Sequence, residues 1–428
     1  MNIILKGNIC YSKTISDFVE YENSYLVCEN TEVVGIFSEI PERYKSFPVK
    51  DYTDCIIIPG LVDLHVHAPQ FAFRGLGMDV ELLEWLNTYT FPEEIKYEDI
   101  EYANNAYQLL ADAIAKSETT RACVFATIHK PATIDLMQKL ENTGIISYVG
   151  LVEMDRNAPE KLCQISADEA YEITDSWINE SKNRFKNTKP ILTPRFIPTC
   201  TYELMLNLGE LQVKYKLPVQ SHLAENLSEL EWVQELYPEC ASYAQAYNQF
   251  GLFGSEDGVS VPTIMAHCVW CDESMVNLIK DNNVYVAHCP QSNINLSSGI
   301  APIRHFIDKE INIGLGTDVA AGASLSIFRA ISDAVQASKL YWRLIDDNGK
   351  PLSIYEAFYL ATAGGGSFFG KVGKFENEYE FDAIVIDDKD AKSAYPLTIS
   401  ERLTRVIYNT ADYKIVDKYV RGENVWNV

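Results

Sequence analysis

Eight short apolar runs, each with room for a helix behind it, constrain this chain more than any other feature. The first runs from Cys55 to Ile58 and leads into His65. The others cover residues 122–128, 146–152, 191–196, 219–222, 263–267, 284–288 and 313–318. Stretches with helical character, such as 100–116, 167–183 and 326–341, separate them. Continuous apolar runs of this length suit strands covered on both faces, as in a parallel sheet. Eight strand–helix units over about 300 residues predict an α/β chain folded as a (β/α)8 barrel, with a doubly wound open sheet as the alternative. The position of the polar residues favours the barrel. His, Glu, Asp and Arg gather at the C-terminal ends of several runs, the rim on which barrel active sites are assembled.

The two chain ends have a different texture. Residues 3–5, 24–28 and 33–37, and then 381–386, 403–408 and 415–420, are short apolar runs between turn residues, and they predict strands. We therefore expect a central barrel over 56–371 and one small β-sandwich formed jointly by 1–55 and 372–428. With 47% hydrophobic residues, a chain of this length can bury a large core. Its net charge of −24 argues against nucleic acid or an anionic membrane as a partner and leaves room for a small neutral molecule. Met1 to Gly7 shows no basic stretch followed by a long apolar one, and no run approaches a membrane span. The ten cysteines are scattered without a disulfide framework. The chain reads as cytoplasmic.

The first run opens into Pro59-Gly60-Leu61-Val62-Asp63-Leu64-His65-Val66-His67. On an extended strand His65 and His67 share a face, and two imidazoles projecting together are half of a metal site. His222 ends the fifth run and Asp318 the eighth. Alone, His222 reads as a hydrogen-bonded core histidine and Asp318 as a helix cap. Together at one rim, the four residues form a nitrogen- and oxygen-rich set suited to zinc, with iron as its substitute. The run 191–196 contains no lysine, and Lys189 precedes it. A single ion is therefore expected, since paired ions in such barrels are usually bridged by a carboxylated lysine from the fourth strand.

Glu225 follows His222 by three residues. It could move protons to and from a metal-activated water, or simply start the next helix as a solvated acid. His267 ends the sixth run, and Arg195-Phe196 ends the fourth. Cys268 and Cys271 form a C-x-x-C with no second pair at zinc spacing, and read as core and loop. Gly364-Gly365-Gly366 lacks the Lys-Ser/Thr of a phosphate loop and predicts a tight turn.

The stretch from Pro59 to His67, with the later His222, His267 and Gly316-Thr317-Asp318, resembles the amidohydrolase superfamily. His67-Ala68-Pro69-Gln70, Leu82-Leu83-Glu84-Trp85-Leu86 with Tyr89-Thr90-Phe91-Pro92, Pro194-Arg195-Phe196, and His288-Cys289-Pro290 with Ser292-Asn293 are similar to those members that deaminate guanine. The likeness covers residues 55 to 370 or so. It implies one Zn2+ per chain on His65, His67, His222 and Asp318, with Glu225 as proton shuttle and His267 steadying the attacking oxygen. It also implies a purine base held by Gln70, Arg195 and Phe196, and a homodimer. The implied reaction is hydrolysis of guanine to xanthine and ammonia. Other aminated rings (pterin, cytosine, triazine) stay open as substrates, as does an inactive barrel serving in assembly.

Overall fold

The computed structural model describes residues 1–254, 261–409 and 412–426. Eight parallel strands organise the middle of the chain: β1 (Leu61–His67), β2 (Thr119–Phe125), β3 (Ile146–Gly150, continued by Val152–Glu153) and β4 (Thr188–Pro190, continued by Thr193–Pro194). After them come β5 (Val219–Leu223), β6 (Thr263–His267), β7 (Tyr285–His288) and β8 (Asn312–Leu315). Each pairs with the next, β4 meeting β5 through Leu192 and Val219. The backbone then returns to its start. Asp318 N–H donates to the His65 carbonyl at 2.8 Å, and His67 N–H to that of Val319 at 3.2 Å. These two bonds bring the ends of β1 and β8 together.

Helices fill the intervals, and side-chain caps fix where many of them begin. Asp99, Ser166, Thr201, Asp272 and Ser326 each accept a backbone N–H of the first helical turn. Helix Ile100–Ala115 buries Ala103, Tyr107, Leu110 and Ile114, one apolar face turned to the strands. A separate core of Val62, Leu64, Cys123, Ile191, Ile264, Ala266 and Ala287 draws its residues from strands around the ring. Among the described residues no helix is long and apolar enough to cross a membrane.

The two chain ends meet in one seven-stranded sheet. Ile3–Thr14, Asp17–Glu29, Glu32–Phe37 and Val49–Pro59 supply one part, and Ala383–Asp387, Lys414–Val420 and Glu423–Asn424 the other.

Three local expectations are corrected. Cys55–Ile58 does not lead β1; it belongs to Val49–Pro59, which pairs antiparallel with Ala383–Asp387. Gly60 marks the change of sheet, because a Cβ there would sit 2.1 Å from Thr120 Oγ1. Residues 403–408 are helical, within Ile399–Tyr408, where Thr398 and Glu401 form a reciprocal capping box and Ile399, Leu403, Val406 and Ile407 make the buried face. Gly364 to Gly366 continue a helical segment instead of turning. Their small size serves packing there: a Cβ on Gly314 of β8 would come within 2.7 Å of Gly365 Cα.

Candidate active site

Four side chains converge where β1, β5 and β8 end. The Nε2 atoms of His65 and His67 are 3.2 Å apart, and His222 Nε2 lies 3.2 Å from that of His67. Asp318 brings Oδ1 to 3.3 Å from His65 Nε2 and 3.6 Å from His67 Nε2. His222 Nδ1 is 2.6 Å from the Arg195 carbonyl oxygen. A carbonyl only accepts, so Nδ1 carries the proton and Nε2 aims a lone pair into the cluster. Burial, reinforced by His65, holds both His67 and His222 well below the ordinary histidine range. Burial pulls Asp318 upward, but His65, His267 and His67 outweigh it and keep the carboxyl below its ordinary value. Neutral His67 and His222 beside an ionised carboxylate give a donor-rich cluster that, with His65, can hold a divalent cation.

The surrounding structure fixes this arrangement. Asp63 accepts from His65 N–H at 3.1 Å, Thr317 N–H at 3.0 Å and the Thr317 hydroxyl at 2.5 Å, tying β1 to the turn after β8. Asp318 and His267 adopt φ of 48° and 73°, left-handed values that non-glycine residues take at a cost of about 1–3 kcal/mol. Such strain is characteristic of positions where a side chain must be aimed. Cys289 also approaches His65, His267 and Asp318. Burial raises its thiol well above the ordinary value, and Sγ donates to the Ala287 carbonyl, so it is a poor ligand beside the three histidines. Lys189 turns away, donating to the Phe185 carbonyl at 2.8 Å. Cys268 is buried with Sγ toward the Met265 carbonyl, outside the clusters that can bind a metal among the described residues.

Glu225 stands at the other side of the cluster. Its Oε2 is 3.4 Å from His267 Nε2, and its Oε1 accepts from Ser298 Oγ at 3.4 Å. The Glu225 backbone N–H donates to Glu229 at 2.8 Å, and the Tyr243 hydroxyl holds the far oxygen of Glu229 at 2.7 Å. Burial, then the charges of Asp318 and Glu229, push the Glu225 carboxyl well above its ordinary value. An acid so placed is suited to taking up a proton and returning it. His267 Nδ1 is 2.8 Å from Asn293 Oδ1, while its Nε2 also lies 3.8 Å from Asp318 Oδ2. An amide oxygen only accepts, so Nδ1 carries a proton, and Nε2 faces the carboxyl groups of Glu225 and Asp318.

A cleft of about 430 Å³, counting its open mouth, adjoins these groups. Leu82, Trp85, Leu86, Phe196 and Leu296 form its apolar lining, with Gln70 and Arg195 among its polar groups. His67, His222, Glu225, His267 and Asp318 also border it, whereas His65 lies fully buried behind them. Phe196 packs edge-on to Trp232 with ring centres 6.1 Å apart. One residue here was not picked out from sequence: Glu94, whose carboxylate receives Arg195 Nη1 at 2.5 Å, Arg195 Nη2 at 3.1 Å and Gln70 Nε2 at 3.3 Å. The only local signal was an acid pair, Glu93-Glu94, directly after Phe91-Pro92.

Parallel strands whose ends gather histidines, an aspartate and a buried glutamate have the make-up of a metal-dependent hydrolase. The Amidohydrolase family matches residues 56–425, and the chain belongs to that family. It is 35% identical over 385 residues to a guanine deaminase of Dictyostelium discoideum, an alignment covering 88% of this chain and 84% of that one. The Homo sapiens guanine deaminase is 37% identical over 381 residues, covering 86% of this chain and 82% of the relative. The crystal structure of a C. acetobutylicum guanine deaminase with guanine in its active site has a TM-score of 0.94 to this fold. It is 44% identical, with 99% of this chain and 100% of that chain covered.

Proposed function

We propose that this chain hydrolyses guanine to xanthine and ammonia. The observation that carries the reading is one cleft holding both the histidine–aspartate cluster and a flat polar edge, Gln70 with Arg195, beside the Phe196 ring. Guanine is flat and neutral, with donors and acceptors along its rim. An amide and a guanidinium can hydrogen-bond that rim while an aromatic ring packs on the face. Similarity to guanine deaminases over most of the chain supports the same reading.

His65, His67, His222 and Asp318 would hold one zinc ion, with iron as the substitute. Bound there, the ion would lower the pKa of a water toward about 7. Gln70, Arg195 and Phe196 hold the base with C2 facing the cluster. Glu225 takes the proton of the attacking water and delivers it to a ring nitrogen beside C2. His267 steadies the oxygen that adds at C2, and Asp318 accepts a hydrogen bond from the same oxygen. Glu225 then takes the remaining proton of that hydroxyl and passes it to the amino nitrogen, the C2–N bond breaks as the C2 carbonyl forms, and ammonia leaves.

This reading includes a (β/α)8 barrel over 56–371 with a companion β-sandwich from 1–55 and 372–428. It also includes a cytoplasmic homodimer that binds neither nucleic acid nor membrane. The test is guanine labelled with 15N in its exocyclic amino group. Labelled ammonia and xanthine are expected in equal amounts; unlabelled ammonia, or none, would overturn the reading.

A further inference from the structure

We infer that Glu94 is a positioning residue that orients the base-reading edge of the cleft and cancels its charge, so that a neutral purine is preferred over an anionic oxopurine. The inference rests on the proposed guanine reading and concerns how that site selects its ligand.

Three observations support it. First, the Glu94 side chain is 1% exposed and both its oxygens are occupied by Arg195, a two-pronged pairing that fixes the plane of the guanidinium. A guanidinium has five N–H donors, so such a pairing leaves others for the cleft. Second, Glu94 sets the direction of the Gln70 amide. Gln70 Nε2 donates to Glu94 Oε1, and Gln70 Oε1 accepts from Ala320 N–H at 3.3 Å. An inverted amide would set its oxygen against the carboxylate and its NH2 against an N–H, like against like. The amide therefore offers the cleft its second N–H and its second lone pair in one order only.

Third, the pairing is exclusive. Among the described residues, the only ion pair of Glu94 is with Arg195; the neighbouring Glu93 pairs with Lys96 and accepts from the Tyr102 hydroxyl. Arg195 thus carries its charge into a buried pocket with one dedicated counter-ion. Without it, the guanidinium would favour an anion. Xanthine has one more carbonyl than guanine and gives up a ring proton more readily. An unbalanced arginine would strengthen product binding and weaken substrate binding together.

The test compares Glu94→Gln and Glu94→Asp with wild type in steady state, with guanine as substrate and xanthine as inhibitor. Glu94→Gln keeps the size and loses the charge. Its loss is expected to fall on KM for guanine, about tenfold or more, with kcat affected less, and the ratio of xanthine Ki to guanine KM should fall about tenfold. Glu94→Asp keeps the charge at shorter reach. Its KM should rise while that ratio stays near wild type. In an Arg195→Gln background, Glu94→Gln should add less than about threefold in KM, because Glu94 acts through Arg195. Should Glu94→Gln not fold, this double variant, free of an unpaired buried charge, and Glu94→Asp decide the matter. An unchanged KM and Ki ratio in Glu94→Gln, a Glu94→Asp ratio that falls as far as that of Glu94→Gln, or a full additive loss in the double variant would overturn the inference. A wild type that releases no ammonia from guanine would instead sink the reading on which it rests.

Discussion

Replacing Glu225 by Gln separates chemistry from structure at this site. The side chain makes two polar contacts, both at 3.4 Å, to Ser298 Oγ and His267 Nε2. Glutamine has the same length and can keep either. The anchor of the segment, Glu225 N–H to Glu229, is a backbone donor and is untouched. Burial and two neighbouring carboxylates already work against an ionised Glu225, so a neutral amide relieves repulsion instead of creating it. The metal-free variant is therefore expected to melt no lower than wild type. Catalysis is another matter. General acid–base transfer is worth about 10²–10⁴-fold, and a tenfold loss is about 1.4 kcal/mol of barrier, so the expected cost is about 3–6 kcal/mol. The assay is ammonia release in steady state, with metal content and thermal melting measured on the same samples. A kcat near wild type would return Glu225 to the role of a helix-starting acid. A large drop in melting temperature would show that the loss is structural.

Further outcomes follow from other parts of the molecule. His67→Ala removes a candidate ligand facing both His65 and His222, and metal analysis should fall from about one ion per chain to nearly none; two tightly held ions in active wild type would contradict a mononuclear site. Asp382→Ala leaves Arg121, 2% exposed, without the carboxylate 2.6 Å from its Nε and with Glu380 as its remaining partner, and should lower stability to denaturant by about 1.5–3 kcal/mol with metal content retained. Burial raises Glu153 to about 7, above its unfolded value, so its stabilising contribution is complete below about pH 4.5 and is lost as pH climbs through 7. Wild type should accordingly lose more melting temperature between about pH 5 and pH 8 than Glu153→Gln, and equal slopes would refute the assignment.

How far the sequence was legible depended on the range of each interaction. Strands buried on both faces must be apolar throughout, which is why seven of the eight runs mapped onto β2 to β8. The first failed because an apolar run does not say which sheet it joins. Cys55–Ile58 pairs with Ile384 and its neighbours, more than 300 residues on, and only Gly60 hints at the break. The run 403–408 lacks its own helix start. Including Thr398, Ile399 and Glu401 restores both the capping box and the helical spacing of the buried residues. The histidine–aspartate cluster was legible because the strand period places His65 and His67 on one face and several strands end in His or Asp. Glu94 was not legible. Its partners are Gln70 and Arg195, far away in the chain, and nothing local separates it from Glu93, which faces Lys96. The tautomer of His222 was equally hidden, since the Arg195 carbonyl that fixes it is a backbone atom.

The most direct test of the account is ammonia release from guanine, adenine, cytosine and a pterin at equal concentration, with wild type beside Gln70→Ala. A buried site built to hydrogen-bond one edge rejects bases that lack it, because its own polar atoms are left unpaired. Guanine should react far faster than the other three. Gln70→Ala should lower kcat/KM for guanine and narrow that lead, with metal content unchanged. A wild type that preferred cytosine or the pterin, or a Gln70→Ala variant with full guanine activity and selectivity, would contradict the assignment of this cleft to guanine.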